Sequence, residues 1–77
     1  MEPAVAFGQA LRRRRKDARL TQEKLAFEAG IERVYVSWLE SGKRQPTFQM
    51  ILRLAGALNC SAADLVAEAE SLLATDV

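Results

Sequence analysis

The chain has 77 residues, 49% of them apolar and 27% charged, which describes one small folded domain rather than a disordered or membrane chain; at this length only about 60% of the unfolded surface is buried, so self-association would help it. One cysteine, Cys60, and no histidine leave no internal disulfide, no usual zinc set and no imidazole base, and no Gly-rich phosphate loop or nucleophile elbow is present, so a non-enzyme with no cofactor and no metal is expected. The net charge of +1 divides into +4 over residues 1–20, +1 over 21–58 and −4 over 59–77, a polarity that suits an anionic partner met by one end of the chain, although charge runs are commonly solvated faces.

The N-terminus places its apolar residues before its charges and lacks a small-residue cleavage site, so it reads as a helix rather than a secretory signal. No apolar run nears the roughly 20 residues of a membrane span, and a cytoplasmic protein with no membrane partner is expected. Pro3 suits a first turn. Phe7, Leu11 and Ala18 then fall within about 40° of one another, which predicts a helix over 4–18. Thr21 caps a short second helix that presents Leu25, Ala26 and Ala29 and stops at Gly30. After the loop "GKRQP", Thr47 caps a helix with Phe48, Ile51, Leu54, Ala55 and Leu58 on one face, stopped at Asn59. Ser61 with Asp64 marks a further helix start. Ala62, Leu65, Ala69, Leu72 and Leu73 line the face of that last helix.

Between the second helix and the loop lies "ERVYVSWLE", Glu32 to Glu40, which is strand-like in composition. A lone strand has no partner for its backbone groups, so the segment is read as a helix and the chain as all-α. On that helix Val36 and Leu39 point one way, while Val34, Ser37, Trp38 and Ser41 cluster on the other, flanked by Arg33 and Tyr35. A helix-turn-helix needs a small residue at the crossing, a Gly in the turn and apolar locks on its second helix. Counted from Gln22 as position one, Leu25 stands at four, Ala26 at five, Gly30 at nine, Ile31 at ten, Val36 at fifteen and Leu39 at eighteen.

From Gly8 to Leu65, about three quarters of the chain, the sequence resembles the Cro/repressor-like (XRE) helix-turn-helix family. "LTQEKLAFEAGI", "WLESGKRQP" and "LRLAGALN" before "SAADL" carry the resemblance. It implies a compact five-helix lambda-repressor-like domain over 4–74 with its helix-turn-helix at 21–41. It also implies binding of double-stranded DNA as a homodimer, with the helix over 32–40 in the major groove. Carried over by position, Arg33, Val34, Ser37 and Trp38 would read bases, and Gln22, Tyr35, Lys43 and Arg44 would bind the sugar-phosphate backbone. Arg33 suits a guanine and Val34 a thymine methyl. Trp38 has a single donor and reads bases poorly; wedging against sugars or packing on a partner subunit are its alternatives. For Tyr35 the alternative is a half-buried ring with a wet hydroxyl.

Three departures or ambiguities matter. Glu32 stands where the family often has Ser, Thr or Asn as a cap; its charge suits the helix dipole, and a cytosine amino group is the other candidate contact. Within "RRRRK", Arg14 and Arg15 both flank the apolar stripe, and periodicity does not choose between them. The resemblance implies that Arg15 pairs with Glu40 as a structural salt bridge, where Arg14 replaces a common Leu. Ala69, Leu72 and Leu73, within a C-terminal helix end and tail over 66–77, form the candidate dimer surface. No small-molecule effector is evident. The rival reading is a protein-interaction module, such as an antitoxin-like subunit, that uses the Val34/Tyr35/Trp38 face.

Overall fold

The computed structural model describes residues 1–75. Positions 76 and 77, the end of the 66–77 span, lie outside the described residues. Five helices follow one another: α1 (Pro3–Asp17), α2 (Gln22–Ala29), α3 (Arg33–Glu40), α4 (Phe48–Ala57) and α5 (Ala62–Thr75). Among the described residues there is no strand, and "ERVYVSWLE" is the short helix α3 with its leading cap residue. No single helix is long and apolar enough to cross a membrane.

Local chemistry explains the boundaries. The Thr21 and Thr47 hydroxyls accept the amides of Lys24 and Met50 at 3.0 and 3.1 Å. Ser61 and Asp64 cap α5 reciprocally: the Asp64 amide donates to Ser61 Oγ at 3.0 Å, and the Ser61 amide donates to Asp64 Oδ2 at 3.3 Å. Hydrogen bonding from the Ser61 side chain, and then from the Ser61 amide, holds the Asp64 carboxyl below its ordinary pKa. Each such cap contributes about 1 kcal/mol. Glu32, by contrast, caps α3 without a side-chain hydrogen bond. Between α2 and α3, Gly30 takes φ of 72°, and Ile31 N–H reaches back to the Ala26 carbonyl at 2.9 Å. The left-handed residue turns the chain sharply enough to set α3 across α2, a conformation that costs a side-chain-bearing residue more than it costs glycine.

All five helices meet in one core. Leu11, Leu25, Val36, Leu39, Leu54 and Leu65 are fully buried, so each helix gives it at least one side chain. Three expectations need correction. Ala18 is exposed at the C-cap of α1, and the buried stripe instead runs through Ala6, Phe7, Ala10, Leu11 and Arg15. Phe48 shares the direction of Ala55 but is 74% exposed, because the first turn of α4 projects beyond the buried body. Ala69, assigned to a dimer surface, is 8% exposed and belongs to the monomer's own core. Its small side chain suits the close packing of α5 on α1.

At Gly8 the backbone of α1 comes against the end of α3. A Cβ there would lie 2.3 Å from the Leu39 carbonyl oxygen and 2.7 Å from that of Glu40. Both are backbone atoms at the end of α3, so relief requires moving a helix. Gly8→Ala should therefore lower stability by roughly 3 kcal/mol, as overpacking does, despite the better helix propensity of alanine. Urea unfolding followed by circular dichroism measures this; a variant as stable as the wild type contradicts the contact.

Candidate nucleic-acid interface

The two faces of α3 have opposite fates. Val36, Leu39 and Glu40 are buried, Arg33 and Val34 are exposed, and Tyr35, Ser37 and Trp38 are half-buried. Tyr35 packs its ring against the core. The helix is thus anchored by positions fifteen and eighteen of the helix-turn-helix and presents its first turn outward.

Beneath that face runs a polar network. Arg15 Nε donates to Glu40 Oε2 at 2.6 Å and Arg15 Nη2 donates to Glu40 Oε1 at 3.0 Å, with the two side chains 11% and 3% exposed. This is a two-point pair, the strongest arrangement available to a guanidinium and a carboxylate. The remaining Arg15 nitrogen, Nη1, donates to the Leu20 carbonyl at 2.8 Å, fastening the α1–α2 turn. Gln22 Nε2 donates to Glu40 Oε1 at 3.1 Å, which fixes its amide with the oxygen outward. That oxygen accepts a long bond, 3.5 Å, from Arg33 Nη1. A base-reading candidate and a phosphate candidate therefore meet across the turn, both referred to the buried pair.

A second group forms at the other end of α3. Gly42 takes φ of 78°, its N–H bonds the Leu39 carbonyl at 3.2 Å, and Lys43 N–H bonds the Trp38 carbonyl at 2.9 Å. The Ser41 hydroxyl donates to the same Trp38 carbonyl at 3.2 Å. Arg44 is folded back so that its guanidinium lies 4.9 Å from the centre of the Trp38 ring, a cation–π contact worth roughly 0.5–1 kcal/mol at an exposed site. Lys43 and Arg44 are both exposed.

The ambiguity between the two arginines resolves into two different jobs. Arg14 Nε donates to Glu68 Oε1 at 2.6 Å and ties α1 to α5, and this bond raises the arginine's already high pKa. Glu68 carries no local signal in the sequence, where only the basic start and acidic end of the chain point to such a pairing. The close approach at Gly8 has one signal in the sequence: a glycine inside a helix, at a cost of about 1 kcal/mol, marks a position where something comes close. Leu72 and Leu73 are half-buried against the core, and Val66 on the same helix is 37% exposed.

A family model of the helix-turn-helix domain matches residues 6–69. The chain belongs to the XRE-like helix-turn-helix family. Over 63 residues it is 38% identical to the control protein C.BamHI of Bacillus amyloliquefaciens, covering 80% of this chain and 78% of that one. Among solved structures, the restriction-modification controller protein C.AhdI from Aeromonas hydrophila is 44% identical, with a TM-score of 0.79 over 80% of this chain and 94% of its own. The clp gene regulator ClgR from Corynebacterium glutamicum is 31% identical, with a TM-score of 0.92 over 96% and 79%. At the level of the family, this helix-turn-helix protein is a DNA-binding transcription regulator.

Removing one partner of the buried pair leaves the charge of the other uncompensated. Arg15→Ala should cost about 3–5 kcal/mol of stability, read from the urea midpoint. An unchanged midpoint contradicts a clamping role.

Proposed function

We propose that the protein is a sequence-specific transcription regulator that binds double-stranded DNA as a homodimer on a two-fold symmetric operator, with α3 in the major groove. The observation that carries this reading is the two-sidedness of α3: Val36, Leu39 and Glu40 are buried while Arg33 and Val34 stand exposed at its start, with exposed Lys43 and Arg44 just past its end. In the groove, Arg33 pairs its fork with a guanine, worth about 1–3 kcal/mol of discrimination, and Val34 meets a thymine methyl. Ser37 lies on the same face. Gln22 at the start of α2, Tyr35, Lys43 and Arg44 hold the sugar-phosphate backbone and set the register. Arg33 gives up only a long bond to Gln22 when it turns to a base.

A single copy offers few base contacts, so two copies on half-sites about 34 Å apart supply the specificity. With Ala69 committed to the monomer core, the self-association surface narrows to Leu72 and Leu73 with Val66, toward the end of α5. The acidic residues Asp64 and Glu70 on this helix, unlike Glu68, whose charge Arg14 compensates, keep that end away from phosphates. The names of two relatives, a control protein and a restriction-modification controller, support a role in setting the expression of a gene set by occupancy of its operator, repression included. The rival protein-binding face is weakened by the half-burial of Tyr35 and Trp38 and by the cation stacked on the indole.

Duplex affinity measured against salt tests the reading. Affinity should fall steeply, with a log–log slope near −0.9 per phosphate contacted, and Lys43→Ala should flatten the slope by about one contact. Affinity that is indifferent to salt, or absent for a mixed duplex pool, overturns it.

A further inference from the structure

We infer that Trp38 acts on DNA through Arg44: the indole face holds the guanidinium so that its N–H edge is presented to a backbone phosphate, and the ring itself reads no base. This inference rests on the DNA-binding reading above.

The approach of Arg44 to the ring, 4.9 Å from guanidinium carbon to ring centre, is delivered by the backbone. The Trp38 carbonyl receives both Lys43 N–H and the Ser41 hydroxyl, so the chain after α3 is fastened to the residue whose ring Arg44 covers. Gly42 makes the reversal with a left-handed φ, and Val5 of α1 closes in behind it, 2.8 Å from where a Cβ would stand. The corner is therefore fixed on two sides.

Its chemistry fits a phosphate. Among the described residues Arg44 has no carboxylate partner, and it is exposed. A guanidinium lying against an indole still presents its in-plane N–H donors, and that fork matches a phosphate. Fixing the side chain in advance lowers the ordering cost of the contact. The indole, in turn, is half-buried and partly covered by Arg44, and its lone N–H donor discriminates poorly among base edges. Trp38 is a positioning residue on these grounds.

The test uses the full chain and one mixed-sequence duplex, with affinity measured between 50 and 200 mM salt. Trp38→Leu keeps apolar bulk without an aromatic face, and Trp38→Phe keeps a face. Loss of one phosphate contact reduces the change in affinity across this salt range by a factor of about 3.5. Arg44→Ala and Trp38→Leu should each show that reduction, and the double variant should show no more than either alone. Trp38→Phe should retain the wild-type slope. Because Trp38 is the sole tryptophan, its fluorescence in the free protein gives a readout without DNA: Arg44→Ala should make it more readily quenched by acrylamide. A Trp38→Leu variant with the full slope, or additive losses in the double variant, overturns the inference alone. A wild-type chain without salt-dependent binding overturns the DNA reading and this inference together.

Discussion

The placement of α3 depends on the buried contact between Arg15 and Glu40. Apolar packing of Val36 and Leu39 holds α3 to the body but is indifferent to small rotations. A two-point ion pair is not, because both charges lose water and accept little misalignment before that loss goes uncompensated. The guanidinium also binds the Leu20 carbonyl, and the carboxylate also accepts from Gln22. One buried pair therefore refers α1, the α1–α2 turn, the start of α2 and the end of α3 to a common point. Gly8 allows it by letting the α1 backbone come against the last carbonyls of α3.

The charge polarity of the chain acquires two meanings in three dimensions. Part of it is internal: Arg14 from the basic start and Glu68 from the acidic end join α1 to α5. The rest is sorted by helix. The α5 helix packs chiefly on α1 and α4, while Arg33, Lys43 and Arg44 stand exposed at the two ends of α3. A net charge of +1 is then compatible with a locally cationic surface around α3, which is what attraction of a polyanion requires.

What was legible in the sequence is what short-range chemistry decides. Thr21, Thr47 and the Ser61–Asp64 pair cap helices through bonds that span three residues, and Gly30 and Asn59 end helices through their own backbone angles. The strand-like look of α3 misleads only until its lack of a pairing partner is considered. Less legible was anything that depends on how far a helix projects or which side chain reaches across. Phe48 has the periodicity of a core residue but overhangs the body, Ala69 has the composition of an interface residue but is already covered, and Glu68 finds its partner 54 positions away. The stacking of Arg44 on Trp38 required the left-handed corner at Gly42, whose effect on direction is set by the preceding helix.

On the proposed function, α3 is a held reading face with Arg33 at its leading edge. Selection of bound sequences from random duplex DNA tests it most directly. An enriched, two-fold symmetric motif with half-sites about one helical turn apart is expected, together with loss of preference for a guanine in each half-site when Arg33→Ala is selected in parallel. A pool that shows no enrichment, or a motif unchanged by Arg33→Ala, would contradict it.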